Sequence, residues 1–324
     1  MNPMATSPAT QSSESESGGK EVRHGHEIPW SRRAAAALML PQEHGAWAML
    51  VMPYLVGTMA AGWGGWPSFL LLAAVLLLFS AGRPLEVALQ GIVRPGKPNR
   101  GGTALKRTYS GGHGDELRKR RANALLHLAT YLALGGLAAA LLLLLFGRWG
   151  LLPMGAISAA ILALQLPLKR RRLDRGWAAR LLAIAALSAT GPAAYYAASG
   201  ALDRHTCAVW ILCFLYSGAG VFYVRLVYQP VARLRDRGPR QLRAEAGKHM
   251  ATYLSVTVVT LGGLAALGWM PPRAILALLP TAAKAAWAWA RPTFQTSLKR
   301  VGMMEVGHSA LFALLATVVI AMWG

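Results

Sequence analysis

The stretch Pro41-Gln-Glu-His-Gly-Ala-Trp-Ala-Met-Leu-Val-Met-Pro-Tyr-Leu-Val-Gly57 opens the first long apolar segment of the chain. Proline suits the first turn of a helix, because its missing N–H leaves no hydrogen bond unmade there. Glu43 belongs to the same turn, where the positive end of the helix dipole favours a carboxylate. Trp47 has the position of a residue in the interfacial aromatic belt, and the sequence is almost entirely apolar from there to Ala61. The stretch therefore predicts the entry into a first membrane-spanning helix.

Apolar blocks of about 20 residues recur beyond this segment, which is the length that a helix needs to cross a bilayer. The 324 residues are 54% hydrophobic, and the apolar residues come in blocks rather than in the amphipathic patterns of soluble domains. The sequence predicts an all-α, polytopic transmembrane helix bundle. Its nine predicted spans are 44–62, 67–89, 124–146, 149–167, 177–199, 206–228, 250–269, 273–290 and 304–323.

The basic residues orient this bundle. Of the 34 Lys and Arg residues, 30 lie in the tail, the connections and the span ends on one side of the predicted membrane, three (Arg148, Arg204 and Arg273) lie on the other, and Lys284 lies within a span. Because positive charge collects in cytoplasmic loops, the N-terminus is predicted inside and the C-terminus outside. The formal net charge of +21 lies in short links rather than on one soluble face, which argues against a nucleic-acid partner. We expect a multi-pass protein of a cytoplasmic (inner) membrane.

The chain divides into a tail and one membrane domain. Residues 1–37 are rich in Ser, Glu, Gly and Ala and are predicted to be a disordered cytoplasmic tail. Residues 38–324 are predicted to form a single transmembrane helical domain with two basic cytoplasmic loops, 90–121 and 229–248. The first loop is expected to lie against anionic lipid headgroups of the bilayer. The second is expected to contain a short amphipathic surface helix.

Polar side chains gather at the predicted cytoplasmic ends of the spans. The chain has only 13 acidic residues. Several carboxylates at the same membrane level are therefore not expected if the acidic residues are merely scattered over surface loops. Ionisable residues at this depth are candidates for function. The candidate ligand-binding residues are Glu43 and His44 on span one, Arg83 and Glu86 at the end of span two, Lys284 in span eight, and Glu305 and His308 on span nine.

Three interpretations of these residues remain open. Glu86, Glu305, Arg83 and Lys284 form ion pairs that only hold helices together, or the whole cluster binds a ligand headgroup such as a diphosphate or a quinone-like ring. In the third, Glu43, His44, Glu305 and His308 bind a divalent metal. Glu-x-x-His is an element of carboxylate bundles, but those use two copies and two further Glu residues. One copy is too few, so no metal and no cofactor is predicted.

Two stretches resemble a known family. The opening Pro41-Gln-Glu-His-Gly-Ala-Trp-Ala-Met, followed by a proline in mid-span, resembles the start of the YwiC-like bacterial membrane proteins. The closing Lys299-Arg-Val-Gly-Met-Met-Glu-Val-Gly-His-Ser-Ala-Leu-Phe resembles their last helix. Together the likeness spans about residues 38–324. That family has no established biochemical role, so the resemblance implies a membrane protein and little more.

A weaker likeness concerns architecture. Nine spans, an inside N-terminus and long links after spans two and six resemble the plan of the UbiA-type intramembrane prenyltransferases, which implies a UbiA-like arrangement. Those enzymes carry Asp-rich motifs in both links, where Mg²⁺ holds a prenyl diphosphate. Here the second link offers only Asp236 and Glu245, and the first has no such motif. Prenyltransferase chemistry is therefore disfavoured.

The sequence thus predicts a multi-pass membrane protein with a cavity on its cytoplasmic side. The expected ligand is an amphiphilic or isoprenoid-like molecule, which can be quinone-like. The alternative is a small-molecule transporter or an assembly factor for a redox cofactor. No inverted repeat supports transport, and no haem or quinone signature supports assembly.

Overall fold

Helices form all of the regular structure in the computed structural model, which describes residues 44–93, 110–170, 176–232, 239–290 and 298–323. No strand occurs within those ranges, so the predicted all-α fold class is confirmed. The α-helices are α1 (His44–Ala60), α2 (Trp66–Ser80), α3 (Gly82–Val93), α4 (Ser110–Phe146), α5 (Leu151–Arg170), α6 (Trp177–Ser188), α7 (Thr190–Ser199), α8 (Arg204–Ala232), α9 (Pro239–Ala266), α10 (Leu279–Ala290) and α11 (Leu298–Ala321), with a 3-10 helix (Pro272–Leu278) before α10.

Each predicted span coincides with helical structure, but the segments differ in length. Among the described residues, six helical stretches are long and apolar enough to cross a membrane: Trp66–Leu89, Arg118–Phe146, Ala178–Ser199, Arg204–Val224, Gly247–Ala266 and Met303–Ala321. Trp47–Ala60 and Leu151–Gln165 are apolar but shorter. The remaining predicted span, 273–290, is shared between the 3-10 helix and α10. A helical membrane bundle is thereby supported, while nine crossings and the inside N-terminus stay predictions.

Two of the long stretches contain a break between two helices. α2 gives way to α3 at Ala81, and α6 gives way to α7 at Ala189. Pro84 and Pro192 lie in the first turns of α3 and α7, where a missing N–H leaves no helical hydrogen bond unmade. Hydropathy predicts one span for each stretch, because a single residue between two helices does not interrupt the run of apolar side chains.

α1 and α7 pack backbone against backbone. A methyl group added at Gly57 would overlap the backbone carbonyl of Gly191, so only glycine fits there. The hydroxyl of Thr190 donates a hydrogen bond of 2.9 Å to the carbonyl of Leu50, one residue from the carbonyl that Pro53 cannot pair within α1. Small residues thus bring the first predicted span against the second half of the fifth.

α8 is the helix that most of the others surround. It contacts α1, α6, α7, α9, α10, α11 and the 3-10 helix. In the apolar parts of α4 and α9, only 17% of the residues are buried. Most of their apolar side chains therefore face outward, as in a helix that contacts lipid. The buried side chains of α8 are those of Val209, Leu212, Cys213, Leu215, Tyr216, Ala219 and Tyr223, among others.

The basic connections contain more helix than the sequence suggests. α3 continues to Val93 and α4 begins at Ser110, so a large part of the predicted loop 90–121 is helical. α9 begins at Pro239, and the helix expected within 229–248 runs directly into the next span instead of lying apart from it. Hydropathy marks the edge of the membrane and not the end of a helix, because a charged helix is stable in the headgroup region. The tail 1–37 lies outside the described residues.

Candidate functional site

An ion pair joins α10 to α11. The ammonium nitrogen Nζ of Lys284 lies 3.0 Å from Oε1 and 2.8 Å from Oε2 of Glu305. The Lys284 side chain is 2% exposed, whereas that of Glu305 is 29% exposed. The pair is therefore closed on the side of the lysine and accessible on the side of the carboxylate.

Two tyrosine rings from α8 complete the surroundings of the lysine. Nζ of Lys284 lies 4.7 Å from the centre of the Tyr223 ring and 5.5 Å from that of Tyr216. An ammonium group has three N–H donors, of which two meet the carboxylate oxygens of Glu305. The third N–H group is left to interact with the negative faces of the tyrosine rings. A cation–π contact of this kind is stronger where water is excluded.

The α11 side of the site is a stripe of residues at helical spacing. Glu305, Ser309 and Phe312 are separated by four and three residues, so they lie on one side of the helix. The ring of Tyr216 stacks on that of Phe312, with centres 3.9 Å apart and planes 9° from parallel. The hydroxyl of Tyr216 lies 3.0 Å from Oγ of Ser309. These contacts hold Tyr216 in the position from which it faces the ammonium group.

Sequence reasoning missed the aromatic half of this site. Tyr216 and Tyr223 are seven residues apart, so they share one side of α8. Ser309 lies four residues after Glu305, which places it on the same side of α11. These spacings were available as a signal, but aromatic residues at helical spacing are far more common in a core than in a site.

His308 lies on the same side of α11, one turn after Glu305. Its ring nitrogen Nδ1 lies 2.7 Å from the backbone carbonyl oxygen of Met304, and its side chain is half-buried. A carbonyl oxygen only accepts hydrogen bonds, so Nδ1 carries a proton. The predicted pair of Glu305 and His308 is therefore brought together by one helix.

The other predicted site residues are placed elsewhere or are not described. Arg83 and Glu86 are half-buried on α3, which packs against α2 and α4, whereas the ion pair joins α10 and α11. In the described parts of the chain the partners of Lys284 are Glu305 and the two tyrosine rings, so Glu86 is not one of them. His44 begins α1, with no description of its side chain, and Glu43 lies outside the described residues.

The metal interpretation includes Glu43, which lies outside the described residues. Within the described ranges, no group of three or more His, Cys, Asp and Glu side chains lies close enough together to hold a metal ion. Glu305 and His308 alone supply two such ligands, and both already have protein partners. The proposal of four ligands from spans one and nine stays a hypothesis.

A second polar cluster ties the end of α11 to the start of α8. Oδ1 of Asp203 accepts hydrogen bonds from the backbone N–H groups of His205 and Thr206, at 3.0 Å and 3.1 Å, as an N-cap residue does. Nε2 of His205 lies 2.7 Å from the carbonyl oxygen of Trp323. Arg204 lies over the Trp323 ring, 4.7 Å from its centre. This cluster is about 27 Å along α11 from Glu305, at the rise of 1.5 Å per residue.

Burial alone would raise the pKa of Asp203, but hydrogen bonds from Thr206 and His205 and the charge of His205 hold it below its ordinary value. A carboxyl whose folded pKa is lowered adds stability above its unfolded pKa and loses that contribution as the pH falls through the folded pKa. The unfolded value is about 3.9, so the contribution is complete at neutral pH and disappears in acid below about pH 4.

Replacing Asp203 with alanine is expected to lower the free energy of unfolding by about 1 kcal/mol at pH 7, because the N-cap of α8 is lost. The loss should shrink as the pH falls from about 4 through the lowered pKa of the folded carboxyl, because protonation then weakens the cap in the wild type. Asp203→Asn, which keeps a capping side chain, serves as the control and should lose less. Chemical unfolding in mixed micelles at pH 7 and pH 3 measures this, and an equal loss at both pH values would contradict the linkage.

Comparison with known proteins gives one positive finding. The family model described as YwiC-like protein matches residues 40–195, which is a little under half of the chain. The resemblance inferred from the opening motif is therefore confirmed over that stretch, and the closing motif lies beyond it. No curated protein and no solved structure matches the chain, so the likeness to UbiA-type enzymes stays a prediction.

Proposed function

We propose that this YwiC-like membrane protein binds an amphiphilic molecule, isoprenoid-like or quinone-like, whose polar head lies at the Lys284–Glu305 pair. The observation that carries the proposal is the unequal exposure of the pair, 2% for the lysine and 29% for the carboxylate. Lys284 directs its donors to Glu305 and to two tyrosine rings, so the cation of the pair is enclosed by protein. Here the carboxylate keeps acceptor capacity on its exposed side, where a ligand head can reach it.

The surface around the carboxylate supports an amphiphilic ligand. Met303 and Val306, which lie within two residues of Glu305 on α11, are both more than half exposed. A molecule with its head at Glu305 would therefore cover apolar side chains with its tail. Binding sites for small molecules combine such apolar walls with a few polar groups that fix the orientation.

The pair disfavours a diphosphate head. Lys284 is the cation that would receive a phosphate, but both of its short contacts are to Glu305. A diphosphate would have to displace that carboxylate or lie beside it, and like charges in contact raise the free energy. This agrees with the absence of Asp-rich motifs, and it favours a neutral head over an anionic one.

The basic ends of the helices support contact with anionic lipid headgroups. Arg118, Lys119, Arg120 and Arg121 are exposed on α4, just before its apolar stretch. Clusters of basic residues at the cytoplasmic end of a spanning helix attract anionic lipids. We accordingly propose that these ends face the cytoplasm of a bacterial cell and that the protein lies in its inner membrane.

The amphiphile proposal predicts a molecule that co-purifies with the protein. Native mass spectrometry of protein extracted with its lipids should detect a bound amphiphile in the wild type and lose it in the double variant Lys284→Met/Glu305→Leu. That variant replaces the pair by apolar side chains of similar size, an exchange that buried ion pairs tolerate. The control Asp203→Asn changes a carboxylate at the other polar cluster and should retain the molecule. Equal retention, or equal absence, in all three proteins would overturn the proposal.

A further inference from the structure

Glu305 has hydrogen-bond acceptor capacity that Lys284 does not use. The donors of Lys284 are directed to both oxygens of Glu305 and to the rings of Tyr216 and Tyr223. Each oxygen of Glu305 receives one hydrogen bond from the lysine, although a carboxylate can accept about four in all. The remaining capacity lies on the exposed side of the side chain.

His308 adds a second acceptor. Its Nδ1 proton is directed to the carbonyl oxygen of Met304, at 2.7 Å. In a neutral imidazole with its proton on Nδ1, the other nitrogen, Nε2, is an acceptor. Nε2 has no hydrogen-bond partner among the residues that the structure describes. The backbone of α11 therefore selects the tautomer that presents an acceptor beside Glu305.

The two acceptors have a spacing that suits one head group. Glu305 and His308 are three residues apart on α11, and side chains at this spacing have their Cβ atoms about 5–6 Å apart. A ring with two hydroxyl groups can donate one hydrogen bond to each. The ring oxygens of a quinone only accept hydrogen bonds, so they form none with the carboxylate of Glu305 or with Nε2 of His308.

We propose that the site selects head groups that donate hydrogen bonds, a hydroquinone-type ring in preference to the corresponding quinone. This inference rests on the proposed function and specifies the ligand class for the same site. The selection comes from Glu305 and Nε2 of His308 together, with Lys284 holding the carboxylate in place from its buried side. Two acceptors that face each other form no hydrogen bond, whereas a hydroxyl group facing the same acceptor forms one, and this difference discriminates between the two forms of one ring.

The test uses one short-chain benzoquinone in its oxidised and its reduced form as probes. Binding is measured anaerobically to wild-type protein in nanodiscs, with empty nanodiscs as the background. The reduced form should bind at least about tenfold more tightly, the factor that one hydrogen bond to a charged acceptor gives. His308→Phe should reduce that ratio several-fold, whereas His127→Phe, a change at a half-buried histidine on α4, should leave it unchanged.

The outcomes separate this inference from the proposed function. Equal affinity for the two forms, or tighter binding of the oxidised form, would overturn the selection while leaving an amphiphile site in place. Failure of both forms to bind, together with no co-purifying amphiphile in the wild type, would overturn the proposed function as well. The comparison of the two forms uses the wild-type chain, so it does not depend on whether the variants fold.

Discussion

Glu305→Ala is expected to lower the free energy of unfolding by about 3 kcal/mol, because it leaves the ammonium group of Lys284 buried without a counter-charge. The lysine side chain is 2% exposed, so its ammonium group can meet water only through the space that the carboxylate leaves. The nearby rings of Tyr216 and Tyr223 offset only part of this cost, since a cation–π contact contributes about 0.5–2 kcal/mol. Chemical unfolding in mixed micelles measures the difference.

The double variant Lys284→Met/Glu305→Leu shows whether the loss of stability comes from an unpaired charge or from lost packing between α10 and α11. It removes both charges and keeps apolar volume, so it should be close to the wild type and much more stable than Glu305→Ala. The two substitutions are thus expected to be strongly non-additive. Glu86→Ala serves as the control, because Lys284 keeps its partner in that variant, and it should lose clearly less stability. A loss for Glu86→Ala as large as that for Glu305→Ala would place Glu86 in the same cluster and contradict the pairing described above.

Gly57→Ala is expected to lower the free energy of unfolding by about 3 kcal/mol, as overpacking of a close helix contact does. The added methyl group would overlap the backbone carbonyl of Gly191 on α7, and backbone cannot move aside as a flexible side chain can. α1 would have to shift away from α7. That movement would also stretch the hydrogen bond of 2.9 Å from Thr190 to the carbonyl of Leu50.

Gly136→Ala is the matched control for this prediction. Gly136 also lies within a helix, α4, but a methyl group there has nothing within 4 Å. The control should therefore keep its stability or gain slightly, because alanine favours a helix more than glycine does. Thermal unfolding of both variants in nanodiscs compares them, and similar midpoints would mean that α1 and α7 are not held at backbone contact.

The positions of the helices could be predicted from the sequence because the bilayer acts on each segment separately. A segment such as 206–228 is apolar over about 20 residues, and in hydrocarbon its backbone must satisfy its own hydrogen bonds as a helix. The same argument does not anticipate the division of 273–290, where the structure has a 3-10 helix followed by the short helix α10. Pro272 begins the 3-10 helix and Pro280 is the second residue of α10, and hydropathy carries no information on how prolines divide a helix.

The site was predicted only in part. The sequence singles out Lys284, Glu305 and His308 because ionisable side chains are rare within apolar segments. Placing such a side chain in a membrane costs free energy, so its presence suggests a function. The positive-inside rule assigns Glu86 and Glu305 to the same membrane level, but it says nothing about their separation within the membrane plane. That separation depends on which helices are neighbours.

The sequence by itself determined the class of the protein, the places of its helices and the short set of charged residues that require an explanation. The tertiary structure alone decided that Lys284 pairs with Glu305 between α10 and α11, that Tyr216 and Tyr223 face the ammonium group, and that α1 meets α7 through Gly57. The physical reason is the range of the forces involved. Partition into a membrane is a sum over the residues of one segment, whereas an ion pair or a backbone contact depends on distances of 3–4 Å between segments that are far apart in the chain.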